Sequence, residues 1–248
     1  AFAAQGAKVA ICGRDQAKAE AAAAEIAGAH SAEVAGFKAD MASAADVDAL
    51  IKAVTAKFGP IQVLVNNAGI TRDGTLKRMT PEQWHEVIDT NLNSVFNTCR
   101  SVISDMLDQG YGRIVNIGSL LAKNGGNPRP WIDRQEQERA GNVAYGAAKA
   151  GLINLVQSMA VEWAPHGIRV VAVAPGTTLS PVVRDALSDE QVEALLAAHP
   201  LATGSQPLAG KINRFSGESR HLGISLFNQV VVSEMYPGIS VVYYGSQE

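Results

Sequence analysis

Cysteine is scarce in this sequence, since only Cys12 and Cys99 occur among 248 residues. The two lie far apart and each sits within an apolar run, a pattern typical of buried, reduced thiols. This pattern does not favour a disulfide framework or a cysteine-rich metal site, so we expect no metal centre. Reduced thiols indicate a reducing compartment, which predicts a cytoplasmic protein.

Long apolar runs and an excess of basic charge are also missing. No apolar run approaches the roughly 18 residues of a membrane span, and the opening AFAAQGAKVA does not have the pattern of a secretion signal. The formal net charge is -3, and both signs are interspersed along the chain. We therefore expect neither a nucleic acid nor an anionic membrane as a partner, and we do expect a small soluble molecule.

Short apolar runs alternate with longer helical patterns along the chain. With 248 residues and 47% apolar content, the chain can bury one sizeable core, which predicts a single domain over 1–248. The apolar runs are KVAIC at 8–12, EVAGF at 33–37, IQVLV at 61–65, RIVNI at 113–117 and IRVVAVA at 168–174. Near-continuous runs separated by helices indicate an α/β protein with buried parallel strands in a doubly wound sheet.

Two of the intervening helices have marked starts. Ser43 with Asp46, and Thr80 with Gln83 in TPEQ, are capping-box patterns. The helix that begins at TPEQ carries an apolar stripe, and Asn91 falls on that stripe. A polar side chain there needs hydrogen-bond partners. Asn91 is therefore either a satisfied or helix-bending core amide, or a functional residue.

Two segments depart from the alternation. Residues 123–142 are polar and contain two prolines and three arginines. This composition predicts an inserted surface loop, and a more specific hypothesis is that the loop is a substrate lid. Residues 204–248 form an atypical C-terminal segment that begins without a sustained helical stripe. Its closing runs, QVVVS and ISVVYY, predict two strands around a turn at Pro237 and Gly238.

The stretch VAYGAAKAG at 143–151 places Tyr145 and Lys149 four residues apart. A helix puts such a pair on one face. In one interpretation the tyrosine packs in the core and the lysine is a solvated surface charge. In the other, the ammonium lowers the pKa of the phenol from about 10 and makes it a general acid and base.

The residues that follow each run favour the second interpretation, because ligands of open parallel sheets bind beyond the carboxyl ends of the strands. These residues are Lys38-Ala39-Asp40, Asn66-Asn67-Ala68-Gly69, Gly118-Ser119 and Pro175-Gly176. Together with Tyr145 and Lys149, this ordered set resembles the short-chain dehydrogenase/reductase family. Within it, NNAGITRD, MTPEQWHEVIDTNLNSVFN and GRIVNIGS are similar to 3-oxoacyl-carrier-protein reductases and acetoacetyl-CoA reductases.

The resemblance implies a Rossmann-like fold, a catalytic tetrad and a nicotinamide dinucleotide cofactor. The implied tetrad is Asn91, Ser119, Tyr145 and Lys149. Tyr145 would donate a proton, Ser119 would donate a hydrogen bond, and Lys149 would hold the nicotinamide ribose and favour tyrosinate between turnovers. Asn91 would hold a proton-relaying water. The implied cofactor contacts are Asp40, Met41, Asn66, Asn67, Ala68, Gly69, Tyr145, Lys149, Pro175, Gly176 and Thr178.

Cofactor preference is predicted from the residues after the run at 8–12. Gly13 stands where relatives that prefer NAD usually carry an acid, and Arg14 follows it. An arginine there accommodates the 2'-phosphate of NADP, so we expect NADP(H) rather than NAD(H). Asp15 is expected to cap the alanine-rich helix that follows.

Three departures from the family pattern carry expectations of their own. The family's first strand and Gly-rich phosphate turn would precede AFAAQGAKV, and we expect that both are missing from this chain. The sheet would then contain a gap, unless a strand from 229–233 or 239–244 enters it. Ser119 and Tyr145 are 26 positions apart, about twice the usual separation, so 123–142 must loop out. The family pattern stops near Pro207.

We therefore expect an oxidoreductase that transfers hydride from NADPH to the ketone of a 3-oxoacyl thioester or a similar carbonyl. An alcohol or polyol dehydrogenase of the same family is a second hypothesis, because the tetrad does not identify the substrate. A truncated fragment that cannot hold a dinucleotide is a third. The resemblance also implies a homodimer or homotetramer.

Overall fold

The computed structural model describes residues 1–125, 141–175, 188, 230–236 and 239–243. The described strands are β1 (Val9–Gly13), β2 (Val34–Lys38), β3 (Val63–Asn66), β4 (Gly112–Ile117), β5 (Ile168–Val173), β6 (Val230–Tyr236) and β7 (Ile239–Tyr243). The described α-helices are α1 (Gln16–His30), α2 (Ala44–Phe58), α3 (Pro81–Ile88), α4 (Ser94–Gln109), α5 (Leu121–Asn124) and α6 (Val143–Trp163). Each of the five predicted apolar runs forms a strand, with ends shifted by one or two residues.

The helix starts follow the predicted caps. The Ser43 hydroxyl accepts a hydrogen bond from the Asp46 N–H at the start of α2, and Asp15 accepts one from the Lys18 N–H at the start of α1. At α3, Thr80 makes both reciprocal bonds of a capping box. These side chains satisfy N–H groups that have no partner within the first helical turn, so the local sequence fixes where the helices begin.

The described strands form two sheets. β1 pairs with β2 in parallel, and a second sheet has the order β3-β4-β5-β7-β6, with every pair parallel except β6 and β7. The two strands predicted near the C-terminus are confirmed as β6 and β7, although Pro237 and Gly238 lie outside the described residues. Neither of these strands lies between β1 and β3, because β7 pairs with β5 on the side away from β4, and β6 pairs with β7.

Because the described strands form two separate sheets, β1 and β3 each have a partner strand on one side and none on the other among the described residues. Val63 and Val65 of β3 are 40% and 41% exposed. Cys12 of β1 is also exposed, so the prediction of a buried thiol is wrong for this residue and confirmed for Cys99. Cys99 lies on the face of α4 that packs into the main core, whereas Cys12 lies on β1, which has a single partner strand among the described residues.

The main core lies between the larger sheet and helices α2, α4 and α6. It includes Val102, Met106, Ile114, Leu152 and Ile168, all fully or almost fully buried. A second cluster joins Leu50 and Val54 of α2 to Phe37 of β2. Helix α2 therefore contributes side chains to both clusters.

Candidate active site

The four residues of the predicted tetrad come together at the carboxyl end of the larger sheet. Ser119 follows β4, and Tyr145 and Lys149 lie on α6. Ser119 is close enough to Tyr145 to act on the pKa of its phenol, and Lys149 Nζ is 5.6 Å from the centre of the Tyr145 ring. Asn91 lies near the same group, on the other side of Gly69. A β-carbon built on Gly69 would lie 2.7 Å from Asn91 Oδ1 and 3.8 Å from Lys149 Nζ.

Asn91 lies in a π-helical turn, Asp89–Asn93, that separates α3 from α4. The sequence predicted one continuous helix here. That prediction was wrong, because the wider π-helical turn interrupts the helix at these residues. The Asn91 side chain is fully buried and donates to the carbonyl oxygens of Val87 at 2.8 Å and Ile70 at 2.9 Å, while its Oδ1 accepts from the Ile70 N–H at 3.2 Å. Asn91 is thus a satisfied amide that also contacts the loop after β3. π-Helical turns of this kind frequently occur at functional sites.

Lys149 is buried, with 4% of its surface exposed, so it is not a solvated surface charge. Its Nζ donates a hydrogen bond of 2.6 Å to the carbonyl oxygen of Ile117, the last residue of β4. Loss of hydration disfavours the ammonium and lowers the pKa of Lys149 to about 8. The lysine is therefore still mostly charged at neutral pH and loses its proton in mildly alkaline solution.

Burial raises the pKa of the Tyr145 phenol, and the hydrogen bond from Ser119 opposes that shift. The sequence predicted the reverse direction, with Lys149 lowering this pKa. The difference has a physical cause: desolvation of the phenol outweighs the hydrogen bond from Ser119. In this structure the phenol holds its proton at neutral pH, which is the form that a general acid requires.

The loop that carries Ser119 is tied to the end of β5. The Gly118 N–H donates to the Val173 carbonyl at 2.6 Å, and the Leu120 N–H donates to the Pro175 carbonyl at 3.1 Å. The Ser119 hydroxyl accepts from the Leu121 N–H at 3.2 Å at the start of α5. Helix α5 then packs against α6, which brings Ser119 to Tyr145 despite their separation in the sequence.

The predicted insertion at 123–142 lies mainly outside the described residues, so the lid remains a prediction. Its C-terminal flank is described, where the Gly74 N–H donates to the Gly141 carbonyl at 2.7 Å and Gly74 forms a β-bridge with Asn142. This bridge joins the loop that follows Gly69 to the start of α6. Two segments that border the candidate site are thereby held together.

Arg14 and Asp40 lie at neighbouring strand ends of the smaller sheet. The Ala39 N–H donates to the Gly13 carbonyl at 2.9 Å, which places the residues after β1 beside those after β2. Asp40 is exposed; its N–H donates to Asp46 Oδ2 at 3.0 Å and its Oδ1 accepts from the Ala42 N–H at 3.0 Å. Hydrogen bonds thus hold the backbone N–H and one carboxylate oxygen of Asp40, while the residue remains exposed.

Met41 follows Asp40 and packs against both hydrophobic clusters. Its sulfur lies 3.6 Å from the sulfur of Cys12 at the end of β1. Of the remaining predicted cofactor contacts, Pro175 is half-buried. Gly176 and Thr178 lie outside the described residues.

The loop after β3 begins with a buried hydrogen-bond network. Asn66 Nδ2 donates to Asn116 Oδ1 at 2.9 Å, and Asn66 Oδ1 accepts from the Thr98 hydroxyl at 2.7 Å. The Asn66 side chain therefore joins β3 to β4 and α4, while Asn67, Ala68 and Gly69 are exposed. The sequence reasoning missed Asn116 and Thr98. The available signal was an asparagine within the apolar run RIVNI.

These residues fit a nicotinamide dinucleotide in their chemistry. Asn67–Gly69 expose the backbone beside the Lys149 ammonium, and a side chain at Gly69 would fill that space. Arg14 and Asp40 are a cation and a carboxylate of the kind that would suit the adenosine end of such a cofactor.

No helix among the described residues is long and apolar enough to cross a membrane. Within the same residues, no group of three or more His, Cys, Asp or Glu side chains is arranged to hold a metal ion.

Comparisons with known proteins place this chain in a family. The family described as short chain dehydrogenase matches residues 1–191. The chain is 44% identical over 189 residues to the 3-oxoacyl-(acyl-carrier-protein) reductase of Staphylococcus aureus strain Mu50, covering 76% of this chain and 71% of that protein. It is 38% identical over 179 residues to the enzyme of the same name from Escherichia coli K12, covering 71% and 68%.

A solved structure agrees with the sequence matches. The crystal structure of a short-chain dehydrogenase/reductase from Burkholderia xenovorans superimposes with a TM-score of 0.66 at 32% identity, covering 79% of this chain and 71% of that one. The family match extends over the tetrad and over the strand ends that carry the predicted cofactor contacts. The chain belongs to the short-chain dehydrogenase/reductase family of NAD(P)-dependent oxidoreductases.

Proposed function

We propose that this protein reduces the ketone of a 3-oxoacyl thioester, or of a closely similar carbonyl compound, with NADPH, and that Tyr145 is the general acid. The observation that carries the proposal is that Ser119 acts on the phenol of Tyr145 at the same place where the buried Lys149 ammonium lies 5.6 Å from the Tyr145 ring. The names of the relatives from Staphylococcus aureus and Escherichia coli support the substrate class.

The residues of the site have complementary roles in this proposal. Bound NADPH supplies a hydride to the carbonyl carbon. Negative charge then develops on the carbonyl oxygen, and donors placed at that oxygen are most effective in the transition state. Tyr145 gives its phenolic proton to this oxygen, and the Ser119 hydroxyl donates a hydrogen bond to the same group.

Lys149 serves both the cofactor and the phenol. Its ammonium has three N–H donors and uses one on the Ile117 carbonyl, so the others can bond the hydroxyl groups of a ribose. It also stabilises the tyrosinate that remains after proton transfer, because its Nζ lies 5.6 Å from the ring centre. Asn91 holds the turn beside Gly69 in place, and its proposed water relay returns a proton to Tyr145.

NADPH is proposed over NADH on the basis of Arg14. This residue is exposed at the end of β1, beside the exposed Asp40 at the end of β2. A guanidinium accommodates a 2'-phosphate, whereas a carboxylate at the position of Gly13 would repel it. Asp15 does not offset this preference, because it caps α1.

The test compares carbonyl reduction with alcohol oxidation in one preparation. We expect oxidation of NADPH with acetoacetyl-coenzyme A, and little reduction of NADP+ or NAD+ with a panel of short alcohols and polyols. The reverse preference would support the alcohol or polyol dehydrogenase. A folded protein that does not change the fluorescence of NADPH or NADH on mixing would support the third hypothesis, a fragment that does not bind a dinucleotide.

We further propose that the chain assembles as a homodimer through α4 and α6. Helix α6 contains only two charged residues, and one of them, Lys149, is buried. Val161 on α6 is 67% exposed and Phe96 on α4 is 55% exposed. An apolar helix face of this kind is expected to be covered.

Light scattering should show that Phe96→Glu weakens the dimer. The control Leu76→Glu, at a position that is 71% exposed, should not weaken it. A wild-type monomer would contradict the proposal.

A further inference from the structure

A chain of partly buried side-chain hydrogen bonds crosses the carboxyl ends of β3, β4 and β5. Asn116 lies on β4, between the other two strands, and its side chain is fully buried. Its Oδ1 accepts from Asn66 Nδ2 at 2.9 Å, and its Nδ2 donates to the Val171 carbonyl of β5 at 3.2 Å. The Thr98 hydroxyl of α4 donates to Asn66 Oδ1 and completes the chain.

These hydrogen bonds lie at the point along the sheet where β3 and β4 cease to pair. The register of β3 against β4 ends at the pair Asn66 and Asn116, whereas β4 continues to pair with β5 through Ile117 and Val173. After Asn66 the polypeptide enters the loop that contains Gly69, and shortly after Asn116 it enters the loop that contains Ser119. The amide pair is therefore the last link between the two strands before they separate into the candidate active site.

Burial makes an amide at this position costly unless its hydrogen bonds are complete. An aliphatic residue would satisfy the apolar pattern of β4 equally well, so the pattern itself does not call for an asparagine. The next residue, Ile117, offers the carbonyl that accepts the 2.6 Å hydrogen bond from Lys149. A shift of β4 relative to β3 would therefore move the anchor of Lys149 relative to Gly69.

We propose that Asn116 is a positioning residue for the carbonyl-reducing site, which acts by holding the Ile117 carbonyl and the Ser119 loop at a fixed spacing from the loop that contains Gly69. This inference rests on the proposed function. Asn116 touches neither substrate nor cofactor in this account, and its effect reaches the reaction through Lys149 and Ser119.

A merely structural role and a positioning role predict different results. If Asn116 only stabilises the sheet, its loss lowers the fraction of folded protein but leaves the turnover of each folded molecule unchanged. If it positions the site, folded molecules react more slowly, because small displacements of reacting groups have large effects on rate. Slower chemistry also raises the deuterium isotope effect on hydride transfer.

The experiment compares Asn116→Val with Asn116→Thr. Both replacements are β-branched and suit a strand, but only threonine keeps a donor and an acceptor. We expect Asn116→Val to lower kcat per folded molecule at least tenfold, to raise the isotope effect with 4-deuterated NADPH, and to change KM less than threefold. Asn116→Thr should recover most of kcat. Unchanged kcat and isotope effect in folded Asn116→Val would overturn the proposal.

Ile114 supplies the matched control, because it is fully buried on the same strand and two residues away, hence on the same face. Ile114→Val and Ile114→Ala should lower the thermal midpoint while leaving kcat per folded molecule within twofold of wild type. If Asn116→Val does not fold, Thr98→Val tests the same network from α4 and should lower kcat at least threefold. An unchanged kcat in Thr98→Val would then count against the positioning role.

A second measurement does not depend on turnover. In a crystal structure of Asn116→Val, we expect Lys149 Nζ to lie beyond hydrogen-bonding distance of the Ile117 carbonyl, whereas in Asn116→Thr the contact should persist. Retention of that contact in Asn116→Val would overturn the inference. A wild-type protein that reduces no ketone would instead contradict the proposed function, and the crystal structures would still decide the role of Asn116.

Discussion

Gly69 and Asn91 are in direct contact, although 21 residues separate them: the Ile70 N–H beside Gly69 bonds Asn91 Oδ1, and a β-carbon on Gly69 would lie 2.7 Å from that oxygen. Asn91 cannot move away easily, because it is fully buried and its Nδ2 is bonded to the Val87 and Ile70 carbonyls. The backbone of the cofactor loop and the π-helical turn therefore fit each other only without a side chain at position 69.

Gly69→Ala should disturb this contact and lower both stability and activity. Overpacking of this kind costs about 1–3 kcal/mol of unfolding free energy. We also expect more than a tenfold loss in kcat/KM, because the same methyl group would lie near Lys149. Gly146→Ala is the control, since its nearest non-local atom would be at 3.6 Å, an ordinary contact. It lies within α6 and should gain about 0.5–1 kcal/mol. Equal stability of Gly69→Ala and wild type would contradict the contact.

The buried ammonium of Lys149 should make stability depend on alkaline pH. Burial lowers its pKa from 10.5 to about 8. Between these two pH values the unfolded chain binds more protons than the native protein, so the free energy of unfolding rises with pH. Below about pH 8 both states are protonated, and this contribution is constant.

The measurement compares wild type with Lys149→Met by urea unfolding at pH 7 and pH 10. The wild-type free energy should rise relative to that of Lys149→Met by about 2 kcal/mol, since each pKa unit corresponds to about 1.4 kcal/mol. The Tyr145→Phe background should be used for both proteins, because the raised pKa of Tyr145 also affects stability near and above pH 10. An unchanged difference between the two pH values would show that Lys149 is not buried as a cation.

Arg14→Ala should weaken the binding of NADPH much more than that of NADH. A charge-assisted hydrogen bond to a phosphate contributes about 1.5–3 kcal/mol, which corresponds to more than tenfold in Kd. NADH has no such phosphate and should bind within threefold of its wild-type affinity. Lys8→Ala is a suitable control, because Lys8 is an exposed cation at the opposite end of β1, paired with Glu33 at 3.3 Å. Similar losses for both cofactors would favour an NAD-dependent enzyme.

The sequence predicted those parts of the structure that depend on local patterns. The Ser43 and Thr80 caps are side chains that bond N–H groups within the next three residues, so a short window contains all the information. The pair Tyr145 and Lys149 was predicted in the same way, from the spacing of one helical turn. The apolar runs predicted all five of these parallel strands, because short apolar runs between helical patterns are typical of α/β sheets, although β1 and β3 are less buried than the runs suggest.

The remaining parts depend on contacts between distant segments. Asn66 and Asn116 meet only because β3 and β4 pair in one register, and no local pattern links them. The pKa of Tyr145 was predicted in the wrong direction, since burial of the phenol raises it, and that burial depends on segments distant in the sequence. The π-helical turn at Asn91 likewise depends on Ile70, which lies in the loop after β3.

The central claim is that Tyr145 gives a proton to the reduced carbonyl, and Tyr145→Phe tests it most directly. The ring remains to fill the half-buried position, while the hydroxyl that bonds Ser119 is removed. The measurement is kcat for reduction of acetoacetyl-coenzyme A by NADPH, with the Kd of NADPH determined on the same preparation. General acid catalysis contributes about 10²–10⁴-fold, so kcat should fall by that factor while the Kd stays within threefold. Turnover within a few-fold of wild type would contradict the account.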